Sequence, residues 1–414
     1  MFIFHVDVNS AYLSWTASFL LEQGHPVDLR NIPSVVGGDP TKRRGIILAK
    51  SIPAKHYGIQ TGDTLYEAKQ KYPALVVVSP DYDLYMRCSD SLYLLLCEYS
   101  SHVQRFSVDE CFLDWPSSSH TRKDAIRMGR DIKERIFHEL GFTVNVGLSN
   151  NKLLAKMASE LQKPNQLHTL FPDEIKEKMW PLPVEDLFMV GRATQKKLYK
   201  FNIRTIKDLA QTKPDFLQTI FKSHGLKIHL YANGIDDSVI EPKQTLLQKS
   251  IGNSTTIPYD ITEKSDSHLI LLALCERVGM RLRRSEGLAQ VVSVHIKTSQ
   301  FAYAMHQKKL FSATDETQEI FRNAKTLLDE MDLKEPLRHL GIHVSELIHN
   351  DFYQISFLDP KDRAKQRTLE RTIDKLRNRY GEKSIFRSCF VNSGMEPLQG
   401  GVHDEDYLMM SSIL

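Results

Sequence analysis

Three carboxylates stand where short β-type segments end. Asp7 closes the apolar segment 2–8, and Asp109 and Glu110 lie at the turn between two short strand patterns in 103–115. Because neighbouring residues of a flat strand point to opposite faces, Asp109 and Glu110 can share one site only at a hairpin tip. Carboxylates from adjacent strand ends could hold two Mg²⁺ ions about 4 Å apart, which activate an attacking hydroxyl and stabilise a transferring phosphoryl group. The pattern therefore indicates metal-assisted phosphoryl chemistry.

Two other interpretations of these acids stay open. Acids at strand ends can be ordinary exposed turn residues, and this is the preferred interpretation for Asp114 in the same segment. Asp7 could also begin the motif of a HAD-type, metal-dependent phosphohydrolase. That motif requires a second aspartate where Asn9 stands, which argues against it.

Alternating strand and helix patterns surround these acids. The spacing of apolar residues predicts an α+β sheet domain with helices to one side up to about residue 161. A helical, basic region follows over 171–235, and then a linker at about 241–250. A third region is predicted to be a small α/β layer, with helices at 268–286 and 314–330 and strands at 290–298 and 339–346.

Composition excludes several classes of protein. The 414 residues suggest about three domains, and 41% apolar with 25% charged residues is ordinary for a globular chain. No apolar run approaches the ~18 residues of a membrane span, and the N-terminus does not resemble a signal peptide. The five cysteines are scattered without a C-x-x-C pair, so neither a disulfide framework nor a zinc site is expected. These features predict a cytoplasmic protein with no membrane partner.

Positive charge is concentrated in three stretches, although the net charge is only +3. Basic residues outnumber acidic ones by 11 to 5 in 176–230, by 7 to 2 in 271–310 and by 10 to 4 in 361–387. Such stretches suggest several surfaces that meet a polyanion. The alternative for each is a solvated helix face.

Three motifs, taken together, resemble the palm motifs of Y-family translesion DNA polymerases, in the bacterial polymerase IV and UmuC branch. They are Asp-Val-Asn-Ser-Ala-Tyr at 7–12, Ser-Val-Asp-Glu at 107–110, and Val-Gly-Leu-Ser-Asn-Asn-Lys at 146–152 followed by Lys-Pro-Asn at 163–165. The resemblance implies an α+β multidomain fold, the right-hand polymerase architecture. Its palm would span 1–11 and 76–166, its fingers 12–75, its helical, helix-hairpin-helix-like thumb 167–235, and its α/β little finger 245–348. A basic tail would occupy 349–414.

The resemblance also implies the roles of single residues. Asp7, Asp109 and Glu110 would be the ligands of two Mg²⁺ ions, with the Val8 carbonyl assisting. Tyr12 would be the steric gate that excludes a ribose 2′-hydroxyl. Lys55, Lys163 and Ser51 would contact the triphosphate, with Ile52 where the family has a tyrosine. Without the motifs, Tyr12 would be a packed helix residue and the lysines solvated surface groups.

Two further regions suggest contacts with DNA. A glycine turn at Gly191, followed by Lys196 and Lys197, resembles a helix-hairpin-helix that offers backbone N–H groups to phosphates, although Met189 or Val190 replaces its first glycine. Arg283 and Arg284 crowd a predicted helix end. Contacts of this kind give salt-dependent affinity without sequence preference.

The tail contains a peptide that resembles the sliding-clamp motif of bacterial polymerases. In the segment 354–358, Gln354 could satisfy polar groups at a pocket rim, while Phe357 and Leu358 fill an apolar groove. The alternative is a stray strand or a segment packing on the little finger. The following residues 361–379 carry Leu369, Ile373 and Leu376 at helical spacing, which predicts a helix.

The function that these observations favour is template-directed DNA polymerisation of low fidelity. The primer 3′-hydroxyl would attack the α-phosphate of a deoxynucleoside triphosphate on primer-template DNA. A catalytically silent DNA- and clamp-binding accessory protein on the same fold is the alternative, which retention of all three carboxylates disfavours. A phosphohydrolase is disfavoured by Asn9 and by the basic regions.

Overall fold

The computed structural model describes residues 1–117, 120–241, 248–331, 335–348 and 363–398. These residues form two compact units. The first unit contains residues 1–37 and 47–241, and the second contains residues 38–46 and 248–398. Among the described helices, none is long and apolar enough to cross a membrane.

The first unit contains eight described strands and ten described α-helices. The strands are β1 (Phe2–Val8), β2 (Ser34–Gly37), β3 (Ile47–Lys50), β4 (Val76–Val78), β5 (Val103–Arg105), β6 (Glu110–Trp115), β7 (Val144–Ser149) and β8 (Leu167–Thr169). The helices are α1 (Ala11–Glu22), α2 (Ile52–His56), α3 (Leu65–Lys71), α4 (Tyr82–Cys97), α5 (Arg122–Leu140), α6 (Lys152–Glu160), α7 (Arg192–Lys200), α8 (Ile206–Gln211), α9 (Pro214–Phe221) and α10 (Ser223–Ala232).

Strand β1 is the centre of the main sheet. The five-stranded sheet has the order β5-β6-β1-β7-β8, and a smaller sheet has the order β3-β2-β4. Strand β1 is antiparallel to both neighbours, and its register places Asp7 opposite Glu110 of β6. Strand β4 thus belongs to the smaller sheet and β8 to the larger one.

Helices cover both faces of the main sheet, so the prediction of helices on one side is wrong. Even-numbered side chains of β1, such as Phe4 and Val6, pack into a core with α1, α4 and α5. On the other face, Ile3 packs with Ala155 of α6. Helix α6 packs closely on β7 because Gly147 of that strand has no side chain. A Cβ at Gly147 would lie 1.9 Å from the Ala155 carbonyl oxygen. His5 and Asp7 share the face of Ile3, because side chains alternate along a strand.

The second unit is a four-stranded antiparallel sheet with helices on one face. Its described strands are β9 (Ser250–Ile261), β10 (Leu288–Thr298), β11 (Tyr303–Thr314) and β12 (Leu337–Ile348), in the order β11-β10-β12-β9. Its described helices are α11 (Lys264–Arg284), α12 (Thr317–Asp329) and α13 (Arg363–Tyr380). The core of this unit includes inward side chains of the sheet and residues of α11 and α12. The predicted helix-on-sheet layer is confirmed, but β9 and β11 were not predicted.

Helix α13 packs on α11 of the second unit through charged side chains. Arg283 of α11 lies 2.6 Å from both Glu370 and Asp374, and Arg377 lies 2.8 Å from Glu276. Glu370 and Arg377 are only 4% and 3% exposed, whereas Leu369 of the predicted apolar stripe is 52% exposed. The helix therefore forms as predicted, but its buried face is ionic.

This docking corrects the interpretation of two basic stretches. Arg283 was predicted to contact DNA, but its side chain is buried against acids of α13. Arg277 pairs with Glu382, and Arg387 pairs with Glu276, at 2.8 and 2.5 Å. These arginines neutralise acids of their own unit instead of facing a polyanion.

Candidate active site

The register of β1 and β6 brings Asp7 and Glu110 together, as the sequence predicts. The structure adds Glu160, at the end of α6: one carboxylate oxygen each of Asp7, Glu110 and Glu160 lies within 4.8 Å of the others. Asp109 lies just before β6, and its carboxylate accepts a hydrogen bond from the Ser107 hydroxyl at 2.6 Å. The main chain of Asp109 is fixed as well, since its carbonyl accepts the Val8 N–H at 3.0 Å.

The acids destabilise one another's charged forms. Burial raises the pKa of Asp7 to about 6, with the charge of Glu110 adding to the increase and Lys163 opposing it. Burial also raises the pKa of Asp109, and the charge of Asp7 contributes to the increase. Burial raises the pKa of Glu110 too, against the effect of Lys156. Such mutual destabilisation of anions favours a cation between them.

Two lysines already supply positive charge at these carboxylates. Lys163 Nζ lies 2.5 Å from Asp7 Oδ2 and 2.8 Å from Glu160 Oε1. Lys156 Nζ lies 2.6 Å from Glu110 Oε1. Burial opposes the charge of Lys163, but Asp7 and Glu160 outweigh it, so the pKa of Lys163 is raised. Lys163 was predicted to contact phosphates. Lys156 and Glu160, one helical turn apart on α6, were missed.

Two buried asparagines hold Lys163 in place. The side-chain oxygen of Asn9 accepts hydrogen bonds from the Asn165 N–H and the Thr143 hydroxyl, at 2.9 and 3.0 Å. The amide of Asn145 donates to the carbonyls of Ser159 and Gln162, at 2.8 and 2.7 Å. Asn9, whose presence argued against a phosphohydrolase, thus anchors the chain beside Lys163.

The donor set fits Mg²⁺. Carboxylate oxygens are the ligands that this hard cation prefers. Glu110 Oε2 is buried and has no hydrogen-bond partner among the described residues. An uncompensated buried carboxylate oxygen is costly, and a cation would satisfy it.

Tyr12 lies close to Asp7 in sequence, on the first turn of α1. Its half-buried ring stacks on Tyr85 of α4 with centroids 4.4 Å apart and planes at 8°. The Thr16 hydroxyl bonds to the Tyr12 carbonyl at 2.8 Å, which fixes the helix below the ring. The ring therefore has a defined position, as a steric gate requires.

Helix α2 presents Lys55, but not the Ser51 hydroxyl. Lys55 is exposed in the last turn of this helix. The Ser51 hydroxyl accepts hydrogen bonds from the N–H groups of Ala54 and Ser34 and donates to the Ile32 carbonyl, at 3.1, 3.1 and 2.7 Å. Ser51 is 2% exposed. The predicted triphosphate contact of Ser51 is wrong, because its hydroxyl caps the helix.

Lys50, which was not predicted, lies near Lys55. Burial lowers the pKa of Lys50, and the charge of Lys55 lowers it further. Two ammonium groups in mutual repulsion would be relieved by an anion. The sequence analysis did not single out this pair, whose members lie at the end of β3 and in the last turn of α2.

Residues of the predicted thumb include an exposed basic group on α7. Gly191 is the N-cap of α7, and Lys196 and Lys197 are exposed on that helix. Met189 has φ of +76°, the left-handed conformation for which a hairpin would normally use glycine. The turn therefore forms without the missing glycine. Arg284 is exposed at the end of α11 in the second unit.

Family models match three parts of this chain. The model of the impB/mucB/samB family matches residues 6–160, and the family's C-terminal domain matches residues 248–357. The chain belongs to the impB/mucB/samB family. The family's HHH motif matches residues 172–203, around the Gly191 turn.

Two proteins named DNA polymerase IV resemble this chain over nearly its whole length. It is 46% identical over 389 residues to DNA polymerase IV of Clostridium acetobutylicum, covering 94% of this chain and 98% of that protein. It is 37% identical over 393 residues to DNA polymerase IV of Acetivibrio thermocellus, covering 94% and 97%. The predicted resemblance to the Y-family is confirmed.

Solved structures confirm the predicted fold. A Y-family DNA polymerase chimera of Dbh and Dpo4 matches with a TM-score of 0.72 and 21% identity, over 84% of this chain and 100% of that one. DinB from Sulfolobus solfataricus matches with a TM-score of 0.55 over the same shares, also at 21% identity. At this identity the likeness establishes the fold alone.

Proposed function

We propose that this chain is a template-directed DNA polymerase that carries out low-fidelity translesion synthesis. The observation that carries the proposal is the position of Asp7 opposite Glu110 on adjacent strands, with Asp109 at the same hairpin. The relatives named DNA polymerase IV, similar over nearly their full length, support the same activity. A catalytically silent accessory protein is not supported, because the carboxylates are present and positioned.

The reaction forms one phosphodiester bond and breaks one phosphoanhydride bond. The primer 3′-oxygen attacks the α-phosphorus of a deoxynucleoside triphosphate, loses its proton and expels pyrophosphate. Asp7, Asp109 and Glu110 would hold two Mg²⁺ ions, with the Val8 carbonyl assisting. When bound, these ions would activate the 3′-hydroxyl and stabilise charge on the phosphoryl group.

Positive side chains of the chain complement the triphosphate. Lys163 lies against Asp7 and Glu160, so it is close to the reacting end of the nucleotide. Lys55, with Lys50 beside it, is available as a second point of positive charge. We assign Lys163 and the pair of Lys50 and Lys55 to triphosphate binding. Ser51 is excluded from this role.

Tyr12→Ala is expected to admit ribonucleotides. The barrier is the ring itself, and relief of an overpacked contact of this kind amounts to about 1–3 kcal/mol, or roughly five- to 150-fold in relative efficiency. The measurement compares kcat/KM for a matched ribo- and deoxynucleotide pair. Tyr12→Phe, which keeps the ring, is the control and should behave like the unaltered protein. If Tyr12→Ala leaves the ratio of the two kcat/KM values unchanged, Tyr12 is a packing residue and not a steric gate.

Primer-template DNA is proposed to contact several exposed basic groups. The Gly191 turn would offer backbone N–H groups to a phosphate, and Lys196, Lys197 and Arg284 would add salt-dependent affinity. Arg283 is withdrawn from this set because of its ion pairs with Glu370 and Asp374.

A sliding clamp is the proposed protein partner. Gln354, Phe357 and Leu358 of the clamp-like motif lie outside the described residues, so the proposal rests on their types and order. A distributive polymerase benefits from such a tether, which raises its local concentration at the primer end. We also propose that the protein works in the cytoplasm.

Replacing Gln354, Phe357 and Leu358 by alanine is expected to abolish stimulation by the clamp. Insertion without the clamp should stay unchanged, because none of the three belongs to the proposed active site. Primer extension with and without clamp measures both effects, and Ser356→Ala is a control within the same segment. Clamp stimulation that survives the triple substitution would refute the motif.

Primer extension with Mg²⁺ tests the proposed activity directly. The unaltered protein should add template-matched deoxynucleotides to a primer and release pyrophosphate. Release of free phosphate without extension would instead support a phosphohydrolase. DNA binding without extension would support the accessory protein.

A further inference from the structure

Asn145 is a fully buried amide in the main sheet. It lies on β7 between Val144 and Val146. The register of β1 and β7 places it directly opposite Asp7, and residues that are directly opposite share a face of the sheet. An amide at a buried strand position is unfavourable unless its polar atoms are hydrogen-bonded. The presence of Asn145 is therefore explained by its partners.

The Asn145 amide uses all four of its hydrogen-bonding positions. Its Nδ2 group donates to the carbonyls of Ser159 and Gln162, at 2.8 and 2.7 Å. Its Oδ1 atom accepts the Gln166 N–H at 3.2 Å and the Asn9 Nδ2 group at 3.1 Å. An amide has two donors and an oxygen with two lone pairs, so no position is left over. Since carbonyls only accept and N–H groups only donate, these partners also determine which way round the amide lies.

These bonds fix the main chain on both sides of Lys163. Two of the bonded main-chain groups precede Lys163 in the chain, and one follows it. Asn9 extends the network, because its Oδ1 atom accepts the Asn165 N–H at 2.9 Å. Strand β7 is thus tied to the turn that carries Lys163, between the end of α6 and the start of β8. The position of the ammonium group then depends on the side-chain torsions of Lys163 alone.

We propose that Asn145 is a positioning residue for nucleotide binding, which acts through Lys163. The inference rests on the proposed role of Lys163 in binding the triphosphate. A lysine is a point charge on a flexible stem, so its contribution to affinity depends on how much of it is already in place before the ligand arrives. Asn145 fixes the main chain of Lys163 in advance, so the nucleotide has less to order when it binds. Asn145 does this without touching the nucleotide, because it is fully buried and all its hydrogen-bonding positions are used.

Asn145→Val tests this role, because it keeps a β-strand residue of similar size and removes all four hydrogen bonds. We expect the dissociation constant of the deoxynucleoside triphosphate to rise by about two- to tenfold, the effect on affinity of ordering one long side chain. Single-turnover insertion at varied nucleotide concentration measures this constant together with the maximal rate. The maximal rate should change by less than about twofold, because the lost contribution concerns binding and not the chemical step.

Ser149→Ala is the matched control on the same strand. Ser149 is also fully buried, and its hydroxyl donates to the Leu170 carbonyl at 2.6 Å. This variant also removes a buried hydrogen bond of β7, but none that holds the turn of Lys163. It should therefore bind the nucleotide as the unaltered protein does. The proposal is overturned if Asn145→Val and Ser149→Ala bind the nucleotide equally.

Lys163→Ala distinguishes positioning from a general loss of structure. In this background Asn145→Val should have little further effect on nucleotide affinity, because the group that Asn145 positions is already gone. An equal effect of Asn145→Val with and without Lys163 would overturn the proposal. If Lys163→Ala alone leaves nucleotide affinity unchanged, the triphosphate role of Lys163 is refuted, and the role of Asn145 falls with it.

Hydrogen exchange of the unaltered protein is a second measurement, which needs no variant and no polymerase activity. The N–H groups of Asn165 and Gln166 donate to buried side-chain oxygens, although both residues are exposed. These two amides should therefore exchange slowly for residues of an exposed turn. Exchange as fast as that of an unprotected turn would overturn the proposal even if Asn145→Val does not fold.

Discussion

Asp109→Ala is expected to lower the rate of nucleotide insertion by about a thousandfold or more, and Asp7→Ala and Glu110→Ala should do the same. Each substitution removes part of the oxygen ligand set proposed for two Mg²⁺ ions, which stabilises the transition state by several kcal/mol. The affinity for duplex DNA should change little, because the groups proposed to supply it are Lys196, Lys197 and Arg284 and not the carboxylates. Single-turnover insertion and a DNA-binding titration measure the two quantities.

Asp114→Ala is the matched control on the same strand. Asp114 is an acid of β6 that bonds to Ser100 and His102, at 3.1 Å each, and not to the acidic cluster. It should keep nearly full activity. Near-normal turnover in Asp109→Ala would contradict its assignment as a ligand.

The second large effect concerns stability. Glu276→Ala is expected to lower the free energy of unfolding by about 3–5 kcal/mol. The substitution leaves the buried positive charge of Arg377 without its ion-pair partner. Glu276 is 5% exposed and binds Arg377 at 2.8 Å and Arg387 at 2.5 Å. Urea unfolding followed by circular dichroism measures the change.

Glu319→Ala provides the comparison for an exposed pair. Glu319 pairs with Arg322 one turn away, and the Arg322 side chain is 64% exposed. Surface pairs contribute about 0–1 kcal/mol, so this variant should unfold almost as the unaltered protein does. If Glu276→Ala were as mild as Glu319→Ala, docking of α13 through buried ion pairs would be wrong.

The strands that carry the carboxylates are predictable from sequence because they are buried apolar runs. Strands β9 and β11 are not. The alternation of β9 is hidden, because its buried positions include the polar residues Asn253 and Thr255. Strand β11 is an edge strand that is exposed along most of its length, so its backbone ladder with β10 holds it rather than an apolar stripe.

The same limit applies to the site. Motif spacing identifies Asp7 and Glu110, because both come from local patterns. Lys156 and Glu160 lie on one face of α6, but only the packing of α6 on β7 at Gly147, and on the neighbouring β1, brings that face to the acids. Charge counts also cannot distinguish DNA from Glu370 as the partner of Arg283, since the two residues are 87 positions apart.

The central place of β1 has a consequence for the motions of the site. Asp7 sits on a strand that is paired along both edges, and its neighbours β6 and β7 are paired on their outer edges as well. Fraying begins at free edges and termini, where backbone hydrogen bonds open at little cost. The amides around Asp7 are therefore expected to exchange their hydrogens among the slowest of the first unit, so that local opening seldom exposes the Asp7 carboxylate.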